Sequence, residues 1–170
     1  FDSIPQQQAW LSDFAFINLF AAKSAEKQLL RGFTTVRDLG GGALSLAKAI
    51  DNNLVNGPRV FASGAFISQT GGHGDFGFPT DVPRKIGELS YQERNGMAAI
   101  ADGADQVLIR SREQLRQGAT QLKLMAGGGV ASNYDPLDVS QYTEAEFKAA
   151  VDAAANWGTY VTVHAYTPHA

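Results

Sequence analysis

The chain has 170 residues, 44% hydrophobic and 18% charged, which is enough for one ordinary hydrophobic core. Its 14 Lys+Arg against 17 Asp+Glu give a net charge of -3, with no basic stripe for phosphate and no polybasic patch for a membrane surface. With no cysteine, disulfides, thiolate zinc sites and cysteine nucleophiles are excluded, and any metal must be held by nitrogen and oxygen. Nucleic acid and membrane are therefore not expected partners. No apolar run approaches the ~18 residues of a membrane span. The start, FDSIPQQQAW, lacks both an initiator methionine and a signal-peptide pattern, and reads as the beginning of a piece or of a processed chain.

Residues 10–31 carry Trp10, Phe14, Ile17, Ala21, Leu29 and Leu30 at helical spacing, with Gly32 as the stop. FTTV at 33–36 is a strand, closed by Arg37-Asp38. Gly40-Gly41-Gly42 opens a turn into a second helix with Leu44, Ala47, Ile50 and Leu54 on one face, broken at Gly57-Pro58. RVFA at 59–62 is the next strand. Residues 63–90 have no periodicity and many glycines; three phenylalanines and two isoleucines favour a packed lid or pocket wall over disorder. Asp105 is the expected N-cap of a helix ending near Gln117-Gly118. A strand at 120–125 and a loop at 126–142, with Asn133, Asp135 and Pro136, follow. Thr143 and Glu146 form a capping box for a helix burying Phe147, Ala150, Val151 and Ala154. The last strand is Tyr160 to His164.

Alternating helices and strands imply a parallel sheet with helices outside, either an open doubly wound sheet or part of a (β/α)₈ barrel. Two strands discriminate. Leu122 and Leu124 oppose Gln121, Lys123 and Met125, and Val161 and Val163 oppose Thr162 and His164. Strands covered on both faces should be apolar on both. One polar face fits a barrel whose interior lines a site at the strands' C-terminal ends, although a whole barrel needs about 250 residues.

The residues that carry chemistry lie on that face. Lys123 is a lysine at an inward strand position, where burial without a partner is rare. It reads either as a lysine reaching the strand end to pair with a carboxylate, as a Schiff-base amine, or as an amine that has taken up carbon dioxide to bridge two metals. The last two need a depressed pKa, which desolvation supplies. His164 occupies the same level at the end of the next strand, as a ligand or as a hydrogen-bonded core histidine. His73, in Gly71-Gly72-His73-Gly74-Asp75, sits where glycines allow close approach to a ligand. His169 carries little signal. The glycines at 40–42 fail the dinucleotide fingerprint at Ser45, Gly127-Gly128-Gly129 lacks the Lys-Ser/Thr of a Walker loop, and no HExxH is present.

GFTTVRDLGG at 32–41, GPRVFASG at 57–64, TGGHGD at 70–75, QLKLMAGGGV at 121–130 and VTVHAYT at 161–167 together resemble the amidohydrolase superfamily, in its imidazolonepropionase-like and Xaa-Pro dipeptidase (prolidase) branch. The resemblance covers nearly the whole chain in the family's order. It implies one domain, residues 1–170, forming about strands 2–5 of a metal-dependent (β/α)₈ TIM barrel. Two divalent metal ions, usually zinc, are then bridged by carboxylated Lys123, and His164 is a metal ligand. His73 and Tyr166 line the substrate site, holding the scissile carbonyl or a free carboxylate. The family's first-strand His-x-His pair should precede Phe1, and its later histidine and catalytic aspartate should follow Ala170.

The function so implied is hydrolysis of an amide or peptide bond in a dipeptide, Xaa-Pro compound or N-acyl amino acid, by a water that the two metals activate. A homo-oligomer is compatible with it. A Schiff-base aldolase, a non-catalytic small-molecule binder and an inert barrel fragment are the alternatives.

Overall fold

A computed structural model describes residues 12–83, 85, 87–130 and 134–170. Trp10 and Asn133 therefore lie outside the described residues.

Helix α1 spans Phe14–Leu30, started by the Asp13 carboxylate accepting the Phe16 amide at 2.9 Å. Strand β1 (Thr35–Asp38), helix α2 (Ala43–Asp51) and strand β2 (Arg59–Ala62) follow as read from the sequence. The segment expected as one long loop also holds a strand, β3 (Phe66–Ser68). A one-turn helix α3 (Tyr91–Arg94) then leads into strand β4 (Ala98–Ile100). Three residues are too few for periodicity to show, and alanine is a poor strand former.

The rest is helix α4 (Ala104–Arg116), strand β5 (Leu122–Met125), helix α5 (Glu144–Asn156) and strand β6 (Val161–His164). The N-cap of α4 is Gly103, not Asp105; the aspartate sits in the first turn, where the helix dipole favours a negative charge. Glu146 closes the start of α5 by accepting the Thr143 amide at 2.7 Å and also accepts the Gly103 amide at 2.7 Å, tying the two helix starts together.

Among the described residues the six strands pair in parallel, β1 with β2 and then β4-β3-β5-β6 in order. The two groups join through a bend. Gly64 turns the chain in the left-handed region, φ 69°, between β2 and β3. Gln114, buried on α4, accepts the Ala65 amide at 2.9 Å there. Thr120 donates its amide to Ala62 at 2.9 Å, so β5 starts beside β2 and ends beside β3. Gly32, Gly118 and Gly158, with φ of 94°, 98° and 74°, release three of the helices into the strands that follow them.

Helices α4 and α5 pack together and bury the outer face of the sheet. Ile67, Leu122 and Leu124 meet Val107 and Leu115 from α4, while Ala150, Ala153 and Ala154 let α5 approach closely. This is the expected α/β architecture, with the expected apolar face of β5 turned outward. Among the described residues β4 pairs only with β3 and β6 only with β5, so both edges of the four-stranded sheet are open. Several residues expected in buried stripes are instead exposed: Leu30 (81%), Leu54 (76%), Val151 (49%) and Val163 (50%). Val163 does point outward, but no helix among the described residues covers the outer face of β6 at that point.

Candidate functional site

The inner face of the sheet begins with a layer of Arg37, Phe61, Gln121 and Tyr160. Arg37 donates to the Gln121 side chain at 3.0 Å and lies 5.9 and 5.3 Å from the Phe61 and Tyr160 ring centroids. Lys123 comes two residues further along β5, 8% exposed. No carboxylate pairs with it among the described residues. The reading in which it reaches out to an acid therefore has no support in the geometry. Burial instead lowers its pKa from the usual lysine value, because the charged amine is penalised away from water. A larger neutral fraction is what either carbamate or imine formation requires.

The ladder between β5 and β6 sets Lys123 opposite Thr162 and Met125 opposite His164. His164 is thus one inward position higher than Lys123, not level with it. Its pKa is pushed down, first by desolvation and then by the neighbouring His73. The Nε2 atom lies 3.1 Å from the Gly128 carbonyl. A carbonyl only accepts, so Nε2 carries the hydrogen, and in the neutral ring Nδ1 holds the lone pair.

His73 reaches His164 from a different part of the chain. The two imidazoles stack at 4.2 Å, 4° from parallel, and Tyr166 sets its ring edge-on to His164 at 5.2 Å. The structure therefore brings His73, His164 and Tyr166 together, and Lys123 lies close enough to His164 to depress its pKa further. The His73 loop is held by its own turns: Asp75 accepts the Gly71 amide at 2.8 Å and the Gly77 amide at 3.0 Å. Thr70 is anchored to Asp102 through its amide and hydroxyl, at 3.0 and 2.7 Å.

Two residues in this assembly had no role assigned from the sequence. Asp135 contacts His73 Nδ1 at 3.1 Å and accepts the Gly129 amide at 2.8 Å. Gln141 accepts the His73 amide at 2.7 Å. Both come from the loop between β5 and α5, and their spacing from His73 in sequence offers no local signal. The glycine run at 127–129 also acquires a reason. A methyl group on Gly129 would fall on the His73 ring, and one on Gly128 would fall on the Pro136 carbonyl. Because the second obstacle is backbone, Gly128→Ala is expected to destabilise the fold by about 1–3 kcal/mol. A denaturant titration checks this, and an unchanged midpoint would contradict the packing of the loop.

A cavity of about 680 Å³ borders the same loop, between Gly71, Asp75, Phe78, Val82 and Tyr134. Lys123, His73 and His164 do not line it, so it is separate from the stacked histidines. Among the described residues no group of three or more His, Asp or Glu could hold a metal ion. Lys123 and His164 still fit one as a partial donor set: a desolvated amine open to carbamylation, and an imidazole with Nδ1 directed away from its own hydrogen bond.

Parallel strands with outer helices, and polar side chains gathered at their C-terminal ends, are the layout of part of a (β/α)₈ barrel. The chain belongs to the amidohydrolase family, whose description it matches over residues 3–170. Among relatives, the ochratoxinase of Aspergillus niger is 38% identical over 150 residues, covering 85% of this chain and 31% of that protein. Among solved structures, a prolidase complexed with N-methylphosphonate-L-proline superposes with a TM-score of 0.80 at 42% identity, covering 92% of this chain and 38% of that one. A Xaa-Pro dipeptidase with methionine in its active site superposes with a TM-score of 0.69 at 31% identity, over 96% of this chain and 38% of that one. The chain thus spans about a third of the length of the proteins it resembles. Its relatives are hydrolases built on TIM barrels, and the fold read from the sequence is of that kind.

Proposed function

We propose that this chain, with six parallel strands where the sequence suggested four, is part of the catalytic barrel of a metal-dependent amidohydrolase that cleaves an amide or peptide bond in a small substrate. The observation carrying this is Lys123, buried on the inner strand face with no carboxylate partner among the described residues and with His164 beside it. The prolidase, the Xaa-Pro dipeptidase and the ochratoxinase support hydrolysis as the class of reaction. The first two support a dipeptide, Xaa-Pro compound or N-acyl amino acid as the substrate.

In this reading Lys123, as its carbamate, and Nδ1 of His164 would hold two divalent metal ions, of which zinc suits nitrogen and oxygen donors. Bound there, the ions would lower the pKa of a water and polarise the scissile carbonyl. Tyr166 positions the substrate by donating its hydroxyl to the carbonyl or free carboxylate, and His73, whose Nδ1 faces Asp135, meets a substrate N–H at Nε2. The ring stack limits how far either imidazole can swing, so the binding edge is set before substrate arrives. The general base belongs to a part of the barrel outside this chain.

The desolvated amine equally suits imine chemistry, which makes a Schiff-base aldolase the second reading. One assay separates the two. A chain extended at both ends to the length of its relatives is expected to hydrolyse members of a dipeptide and N-acyl amino acid panel, and to lose that activity on chelation. Borohydride trapping of a carbonyl substrate on Lys123, with no hydrolysis, would instead establish the aldolase.

A further inference from the structure

We propose that Asp135 is the positioning residue for His73, fixing the tautomer and the orientation of its imidazole. The loop between β5 and α5 is zipped at its base: Gly127 and Ser140 form an antiparallel bridge, and Gln141 donates its amide to Ala126 at 2.9 Å. Beyond that base the Asp135 side chain turns inward and is 1% exposed. One of its oxygens, Oδ2, accepts the Gly129 amide at 2.8 Å and contacts His73 Nδ1 at 3.1 Å. A carboxylate accepts only, so the proton of the neutral His73 ring is held on Nδ1 and its lone pair on Nε2.

The backbone of His73 is held from the same loop. Gln141 Oε1 accepts the His73 amide at 2.7 Å, while Gln141 Nε2 donates to Ser68 Oγ at 3.0 Å. One loop thus grips both the main chain and the ring of a residue more than sixty positions away. A ring flip about the Cβ–Cγ bond would exchange Nδ1 for carbon and break the Asp135 contact. Asp135 therefore selects one of two rotamers that the face-to-face stack on His164 would tolerate equally.

Stability alone does not account for this carboxylate. Its second oxygen, Oδ1, is buried without a hydrogen-bond partner among the described residues, an arrangement that costs rather than gains free energy. A side chain selected only to hold the loop would have both oxygens satisfied. The imidazole instead receives the better-placed oxygen, in the manner of carboxylates that orient a functional histidine.

The orientation stands on the geometry, while its effect on turnover rests on the substrate role of His73 in the function proposed above. The two are tested separately in the extended chain. Nitrogen NMR of the histidine rings is expected to show His73 protonated on Nδ1 and His164 on Nε2, with His73 losing its preference in Asp135→Ala. His73 found protonated on Nε2 in the unaltered protein would overturn the proposal, whether or not the protein is active. Asp135→Ala is expected to raise KM by about 10- to 100-fold, with a smaller change in kcat. In a His73→Ala background the same substitution is expected to change KM less than about 2-fold, because its route of action is gone. An equal loss in both backgrounds would mark Asp135 as structural only and overturn the proposal.

Discussion

Replacing Lys123 with methionine is expected to reduce kcat/KM of the extended protein by about 10³-fold or more while leaving it folded. The magnitude is that of removing a preorganised electrostatic group from a reacting centre. The fold is expected to survive because the side chain is buried against the inner face without an ion pair among the described residues. Methionine has a similar length and avoids the cost of desolvating an amine. Compared without metal, thermal unfolding should accordingly occur at an equal or higher temperature in the variant. A lysine kept for structure gives the opposite pattern, with activity retained and stability reduced. Mass spectrometry under native conditions adds an independent reading, since a carboxylated Lys123 carries the mass of one carbon dioxide that the methionine variant cannot.

The second large effect is expected at His164. Phenylalanine there preserves a ring to stack on His73 and to meet the edge of Tyr166, but removes both nitrogens. The lost hydrogen bond to the Gly128 carbonyl is expected to cost about 1 kcal/mol of stability. The effect on kcat/KM is expected to be far larger, about 10²- to 10³-fold. If Lys123 and His164 act as parts of one centre, the two losses do not add. The double variant Lys123→Met/His164→Phe should be hardly worse than the poorer single variant. Multiplying losses would mean that the residues act independently, and would separate the histidine from the lysine's chemistry.

The parts of the molecule legible in the sequence were those governed by local rules. Alternation along 121–125 placed Leu122 and Leu124 outward in the core and Lys123 inward, because a strand's side-chain period is two. Glycines 32, 118 and 158 marked three strand starts because each helix ends in a left-handed turn. Periodicity also grouped Leu30, Leu54 and Val151 with apolar neighbours, yet these three are exposed. A pattern reveals which residues share a face; it carries no information about whether another element covers that face.

The site divides in the same way. Lys123 and His164 were visible as unusual residues at the ends of strands, although only the ladder shows that they differ in height by one inward position. The stacking of His73 on His164 and the grip of Asp135 and Gln141 on His73 depend on loop closure between segments distant in sequence. Nothing local announces such contacts. Gly127-Gly128-Gly129 fails as a phosphate loop in the sequence for want of a following Lys-Ser/Thr, and only the fold gives the run a reason. Its missing side chains make room for the His73 ring and the Pro136 carbonyl.

Metal analysis of the chain extended to the length of its relatives tests the central claim most directly. Two divalent ions per chain are predicted, retained through gel filtration and diminished in both Lys123→Met and His164→Phe. A folded, extended protein that binds no divalent metal, or that binds it equally well without Lys123, would contradict the account.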